Sequence, residues 1–353
     1  MTTSQKATER NEVAIICDTH FGVRKGNQVF HDYFKRFYED TFFPVIDNQS
    51  IDTVVHLGDV FDVRKGIDYW SLNWAKENFF QPLYDRGIKV HIIVGNHDIF
   101  YKQNLSLNSP RLNLGEFGNI EVTDTPRTSI ISGVPVFEVP WLCEGNAEEF
   151  AEELEKTPAS LSWGHLELAG FYANKDYQCQ HGTDAKIFSR FDRVFSGHFH
   201  KKNSSGNITY LGNPYQLYWN DEGETRGFHI FDMESQELEF IENPYSMFHK
   251  VYYNEDKKKL FNPTKFKETY VKLIVEGKST PAKLNRVVDS LYDVNIHDLK
   301  IIENRDVLID DDVEVEAEDT LTTLTNYVNA LDDVNKENII DIFKSLYVES
   351  QEV

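Results

Sequence analysis

Cysteine is scarce. The chain has three, Cys17, Cys143 and Cys179, in 353 residues. An odd and dispersed set builds no disulfide framework and fits a reducing compartment. Long apolar runs are missing too. No stretch approaches the roughly 18 residues of a membrane span, and Met1-Thr2-Thr3-Ser4-Gln5-Lys6 has no signal-peptide core. A cytoplasmic chain with no membrane partner is expected. Positive charge is the third deficit: 36 Lys and Arg stand against 58 Asp and Glu, a net charge of −22. That excludes a protein that holds nucleic acid by bulk electrostatics alone. What the chain does have is apolar material, 40% hydrophobic and 13% aromatic, enough for a large core and too much for disorder. Its length fits about two or three units.

The organising stretch is Val54-Val55-His56-Leu57-Gly58-Asp59-Val60-Phe61-Asp62. It opens as a buried parallel strand and closes in carboxylates, and ligands of open α/β sheets bind beyond such strand ends. Val13 to Cys17 reads as a strand running into Asp18-Thr19-His20, and Lys89 to Val94 as another breaking into Gly95-Asn96-His97-Asp98. Between them Phe30, Tyr33, Phe34 and Phe37 recur at helical spacing, and a second helix spans Tyr69 to Arg86. This β-α-β-α-β order makes a parallel sheet with a site along one edge.

From Asn119 the short runs 121–123, 129–131 and 134–139 read as antiparallel strands and hairpins. A short acidic helix follows at Ala147–Glu155. Strands at 159–163 and 193–196 then end in Gly164-His165 and Gly197-His198-Phe199-His200, with final strands near 208–214 and 227–232. Two halves with strand-end donors imply two packed sheets, helices outside and the site between them.

The donor candidates are Asp18, His20, Asp59, Asn96, His165, His198 and His200. Carboxylate, amide and imidazole together suit borderline divalent ions such as Mn²⁺, Fe²⁺ or Zn²⁺. Seven donors exceed one ion's needs, so two ions sharing a carboxylate are expected. His31, His56, His91 and His229 fall in strand or helix patterns and read as structural, and His181 lies in a loop. Cations follow the donor loops at Arg24-Lys25, Arg64-Lys65, Lys102 and Lys201-Lys202, which would make one face locally basic.

The tail alternates as a strand at 268–275, opens a helix at Thr280-Pro281 and returns as a strand at 297–302. An acidic spacer around Asp310-Asp311-Asp312 follows. Then come two short amphipathic helices, one with Leu321, Leu324, Val328 and Leu331, the other with Ile339, Ile340, Phe343, Leu346 and Tyr347. They either fold back on the body or dock into an apolar groove of a partner.

In order, Asp-x-His, Gly-Asp-x-x-Asp, Gly-Asn-His-Asp, Gly-His and Gly-His-x-His resemble the calcineurin-like metallophosphoesterases over roughly residues 13–232. Within that family Gly58-Asp59-Val60-Phe61-Asp62 and Leu211-Gly212-Asn213-Pro214-Tyr215-Gln216, followed by Gly227-Phe228, look like the SbcD-type DNA double-strand-break repair nucleases, a group that includes a phage recombination endonuclease subunit. One departure is Asp62, where many cellular relatives carry a His.

The resemblance implies an α/β fold, a two-sheet α-β-β-α sandwich with a small α/β capping domain and C-terminal helices. Its divisions would be 1–245 nuclease domain, 246–308 capping and DNA-binding domain, and 309–353 acidic linker with partner-binding helices. It implies one ion on Asp18, His20, Asp59 and His200 and a second on Asp59, Asn96, His165 and His198, with Asp59 bridging. Mn²⁺ is the first choice and Mg²⁺ the second. His97 would contact the scissile phosphate and protonate the leaving oxygen, with Asp98 orienting its ring. The implied activity is exonuclease and endonuclease cleavage of DNA in end processing, recombination and repair. The implied partners are DNA, an ABC-type coiled-coil ATPase subunit and a second copy of the chain. The location is the cytoplasm, the host's if the chain is phage-encoded. A calcineurin-like phosphatase acting on small or protein phosphoesters shares every donor but lacks the 211–228 ending and the tail. A scaffold with a purely structural metal site has no need of His97.

Overall fold

The computed structural model describes residues 11–173, 178–255, 262–277 and 279–302. The acidic spacer and the two helices expected beyond residue 309 lie outside the described residues.

β1 (Glu12–Ile16), β2 (Thr53–His56) and β3 (Lys89–Ile93) pair in parallel. All four residues of β2 are buried, so the strand is covered on both faces. Each crossover is helical. The first runs through Gln28–Phe37, a π-helical turn at Tyr38–Phe42 and Phe43–Asn48. The second runs through Tyr69–Ala75, a π-helical turn at Lys76–Phe80 and Gln81–Asp85, capped where Asp68 accepts from the Ser71 amide at 2.8 Å. Both helices bury aromatic faces in one cluster that includes Phe21, Phe34, Phe37, Tyr38, Phe79 and Phe80.

β4 (Ile120–Thr123) corrects the expectation of an antiparallel run after Asn119, because it extends the same sheet in parallel beside β3. The segment between β3 and β4, which holds the short helix Ser109–Asn113, is long enough for a crossover. Only β5 (Arg127–Ile131) and β6 (Val134–Val139) form a hairpin there. Its turn is Ser132-Gly133, with φ of 46° and 80°, the double left-handed geometry that matches strand twist.

β6, β7 (Leu161–His165) and β8 (Arg193–Gly197) run parallel. β9 (Asn203–Ser205) pairs antiparallel with β10 (Ile208–Tyr210), which lies parallel to β8. The chain then returns to the first sheet, where β11 (Gly227–Asp232) pairs antiparallel with β1 and β12 (Leu238–Glu242) closes the edge. The orders are β12-β11-β1-β2-β3-β4 and β5-β6-β7-β8-β10-β9.

Val13, Ile15, Val55 and Ile93 of the first sheet meet Val136, Leu161, Trp163 and Phe195 of the second in a shared core. The aromatic helices cover the outer face of the first sheet, and the helix Ala147–Lys156 covers that of the second through Phe150. The architecture is an α-β-β-α sandwich.

A third sheet is wholly parallel, with β14 (Tyr270–Val275) between β13 (Phe248–Tyr253) and β15 (Asp298–Ile302). The helix Pro281–Tyr292 covers one face, burying Leu291 against Val271 and Leu273. The expected β-α-β tail is therefore one strand larger, by β13. Phe248 and Tyr270 anchor this sheet against Phe30 of the body, at ring separations of 5.9 and 5.7 Å.

His229, in β11, is buried against the Phe240 ring, and its Nδ1 has no hydrogen-bond partner among the described residues. Burial, aided by the Lys202 charge, pushes its pKa down to about 3. The unfolded chain protonates this ring near its ordinary value and the folded chain does not. The stability it supports is therefore complete above pH ~6.5 and falls as pH drops toward 3. His229→Gln is expected to remove up to about 1.4 kcal/mol of acid destabilisation per pH unit in that window. Denaturant unfolding at pH 7, 6, 5 and 4 checks this, and an unchanged acid slope would contradict it.

Candidate metal centre

The donor loops begin where the parallel strands stop. Four donors hold left-handed backbone: Asp18, His20, Asp59 and His198, at φ 52°, 44°, 55° and 83°. Such a conformation disfavours a non-glycine residue by about 1–2 kcal/mol and persists only when its surroundings fix it. Here the β1–β2 pairing continues past the strand ends. Asp18 donates its amide to the Gly58 carbonyl at 3.0 Å, His20 to that of Asp59 at 3.1 Å, and Phe21 to that of Val60 at 2.9 Å.

The Asp98 carboxylate locks the next layer. It accepts the amides of Asp59 at 2.9 Å, Val60 at 3.0 Å and Gly95 at 2.9 Å. Burial, with the Asp59 charge beside it, pushes its pKa up to about 6, and the amide donors keep it ionised at neutral pH. The expectation that Asp98 orients the His97 ring is thus corrected. That ring is held by the Asp62 carbonyl, 2.6 Å from Nδ1. A carbonyl only accepts, so Nδ1 carries the hydrogen. The His97 amide donates to Asp59 Oδ1 at 2.8 Å. Gly95 has to be glycine here, because a Cβ would overlap the Asp59 carboxylate and come within 2.9 Å of the His165 ring.

The seven donors gather in two clusters. In one, His20 Nε2 and His200 Nε2 face each other at 3.1 Å. Donor atoms of Asp18, His20 and His200 all lie within 4.8 Å of one another. Burial and the neighbouring His20 push the His200 pKa down to about 4, which leaves a neutral imidazole with its lone pair available. In the other, His165 Nδ1 is 2.7 Å from the Leu57 carbonyl and so carries the hydrogen. Its Nε2 then faces Asn96 Oδ1 at 2.9 Å and Asp59 Oδ2 at 3.3 Å. His198 Nδ1 is 3.0 Å from the same Asn96 oxygen. Burial opposes charge on His165, yet the Asp59 carboxylate outweighs it and pushes the pKa up to about 9. Carboxylate, amide and imidazole atoms converge in both clusters, and the proton that a pKa of about 9 places on His165 Nε2 is one a cation there would displace, so the residues fit divalent metal ions. Asp59 Oδ2 belongs to both clusters, at 3.7 Å from His20 Nε2 as well.

Pattern reading missed some contributors. Asp62 joins His20 and His97 in a third group, with His20 Nδ1 at 3.3 Å from its carboxylate. Arg226 donates its guanidinium to the His200 carbonyl and, at 2.5 Å, to Asn213 Oδ1. The four structural histidines are buried. Two of them brace donor loops: His31 Nε2 accepts the Gly22 amide at 3.1 Å, and His56 Nε2 lies 2.9 Å from Thr19 Oγ1. His181 is exposed.

The expected basic face is thinner than its sequence. Arg24 lies over Phe30, Tyr218 and Phe248, Lys201 pairs with Glu224 at 3.2 Å, and Lys202 sits over Phe240. Lys25, Lys65 and Lys102 are exposed.

Asp98 and Asp59 are expected to fail differently. Asp98→Ala strips the acceptor from four buried amides, those of Asp59, Val60, Phe61 and Gly95, and should lower unfolding free energy on the order of 3 kcal/mol. Asp59→Asn should keep the fold and release both ions together. Denaturant unfolding beside metal content by mass spectrometry separates the two; loss of a single ion in Asp59→Asn would contradict the shared oxygen.

A model of the calcineurin-like phosphoesterase domain matches residues 12–202. Exonuclease subunit 1 of Enterobacteria phage T4 is 34% identical over 306 residues, covering 85% of this chain and 88% of that protein. DNA double-strand break repair protein Mre11 of Methanocaldococcus jannaschii is 24% identical across 94% of this chain and 93% of its own length. Its namesake from Sulfolobus acidocaldarius is 30% identical over 145 residues, 40% of this chain and 36% of that one. With the donor clusters at the strand ends of an α-β-β-α sandwich, these matches make the chain a member of the calcineurin-like phosphoesterase family.

Proposed function

We infer that the chain is a metal-dependent DNA nuclease, a phosphodiesterase. The observation that carries this is one carboxylate oxygen, Asp59 Oδ2, standing between two imidazole-lined clusters with His97 alongside. The relatives that cover most of its length are by name an exonuclease subunit and a DNA double-strand break repair protein.

In this reading Asp18, His20, Asp59 and His200 hold one ion, and Asp59, Asn96, His165 and His198 the other. Mn²⁺ suits the mixed donors best, with Mg²⁺ second. Bound there, the ions would supply Lewis acidity to the phosphoryl oxygens and lower the pKa of water. The chain's own residues do the rest. The Asp62 carbonyl fixes the hydrogen on His97 Nδ1, so Nε2 is the ring atom that takes and gives a proton. The ring stands 4.9 Å from that of His20, in reach of a phosphate lying over the clusters. As a water oxygen bonds to phosphorus and the P–O bond to the leaving group breaks, the proton on Nε2 passes to the leaving oxygen and the water's proton is released to solvent. The His97 amide on Asp59 ties this proton donor to the shared carboxylate.

We further propose that residues 1–245 form the nuclease body and 246–308 a cap that helps hold DNA. Residues 309–353 would carry the contact to a coiled-coil ABC-type ATPase, with the nuclease acting as a homodimer in the cytoplasm. No helix of the described residues is long and apolar enough to cross a membrane. The acidic body gives DNA little general attraction, so a partner that clamps DNA fits the charge balance.

His97→Ser is expected to keep both ions and lose DNA turnover by on the order of 100-fold or more. Linear duplex, hairpin DNA and p-nitrophenyl phosphate compared in Mn²⁺, beside metal analysis, test this. A preference for the small ester would turn the assignment toward a phosphatase. Removing residues 313–353 should leave cleavage of short DNA intact and abolish association with the ATPase; undiminished co-purification would remove the tail from that role.

A further inference from the structure

We propose that the segment Asn213–Arg226 links the seating of the third sheet directly to one donor cluster, and to the other only through the Asp18 and Asp59 that join them. Tyr215, Gln216 and Arg226 are then positioning residues for the ion on Asp18, His20 and His200. The proposal rests on the metal-centre reading above and adds a dependence that reading does not contain.

One end of the segment grips the third sheet. Gln216 Oε1 accepts the amides of Met247 at 2.8 Å and Phe248 at 2.9 Å, where β13 begins. The other end grips the donor loops. The Tyr215 hydroxyl donates to the Thr19 carbonyl at 2.8 Å, and Thr19 is the residue between Asp18 and His20. The His200 carbonyl takes the Asn213 amide at 3.3 Å and the Arg226 guanidinium. The Tyr218 ring lies parallel to the His200 imidazole, 6° apart in plane and 6.4 Å in centroid.

Between its ends the segment is stiff. Asp221 Oδ2 accepts the amides of Leu217 at 2.8 Å and Tyr218 at 3.0 Å, its Oδ1 accepts Arg226 at 2.8 Å, and its carbonyl accepts Gln216 Nε2 at 3.2 Å. Asn213, Tyr215, Gln216, Asp221 and Arg226 are all buried. Buried polar groups bonded to one another cannot readily trade partners with water, so a shift at one end is transmitted to the other.

The second cluster is held differently. His165 is fixed by the Leu57 carbonyl beyond β2, and the His198 amide by Asp18. Asn96 sits in the turn that Asp98 locks through Gly95. Anything that lifts or reseats the third sheet should therefore change the geometry around His20 and His200 first. By linkage, filling that site should tighten the grip on β13 in return.

The test is calorimetric titration of the metal-free full-length chain with Mn²⁺, beside amide hydrogen exchange at Met247 and Phe248. Wild type should show two sites and slower exchange at both amides when Mn²⁺ is bound. Tyr215→Phe removes one hydroxyl and keeps the ring stacked on Phe34. It should weaken one site by about tenfold or more, weaken the other clearly less, and break the Mn²⁺ effect on exchange. Gln216→Met should do the same, and Arg226→Lys should hold affinity better than Arg226→Met. Equal weakening of both sites, or unchanged affinity with the exchange effect intact, overturns the link. Wild type that binds no Mn²⁺ overturns the metal-centre reading itself. Tyr215→Phe loses a single hydroxyl, so its result stands even if the Arg226→Met chain does not fold.

Discussion

The Asp98 carboxylate accepts backbone hydrogens from two separate turns, those of Asp59 with Val60 and of Gly95. The site depends on this bond set more than on any donor. It places the Asp59 carboxylate and the His97 ring relative to each other. Asp59 sits at φ 55°, a conformation its own sequence disfavours. Four amide bonds to a buried carboxylate, that of Phe61 included, outweigh that strain, because each would otherwise be an unsatisfied buried donor. The His97 amide on Asp59 Oδ1 and the His97 ring on the Asp62 carbonyl then follow with no freedom left.

Charge gives the second constraint. A body at −22 meets a polyanionic substrate, and several basic residues near the donor loops are already engaged by aromatic rings or carboxylates. Two divalent ions would be the largest positive charges on this face. Metal loading and substrate attraction are thus one electrostatic event, and a chain stripped of ions should be repelled by DNA as well as inert.

Much of this was legible in the sequence. Donor residues after Cys17, Leu57, Val94, Gly164 and Gly197 pointed to a shared edge because parallel strands send their following loops the same way. The α-β-β-α order followed from helices between apolar runs. What stayed hidden has a physical reason in each case. The direction of β4 is decided by the length of the crossover before it, not by its β-branched residues. β12 alternates half-buried with exposed positions, so it lacks an apolar run. Asp98 stands beside His97 in sequence, and adjacency suggested a ring contact; its true partners are backbone amides, which leave no mark on residue types. Arg226 lies 26 positions from His200, and no local spacing rule spans that gap.

The two donor clusters therefore differ in kind although they share Asp59. One is built into the sheets through Leu57 and the Asp98-locked turn. The other has the β1–β2 extension under Asp18 and His20 and is braced besides by Tyr215 beneath Thr19 and by Arg226 on the His200 carbonyl. A site fixed by the core can only be occupied or empty. A site held by a buried strut that also grips the third sheet can be graded by whatever bears on that sheet. Catalysis by paired ions needs both at their proper separation, so the cluster tied to the third sheet sets when the pair is complete. Control of such a nuclease can then act far from the chemistry, at Met247 and Phe248, without touching a single metal donor.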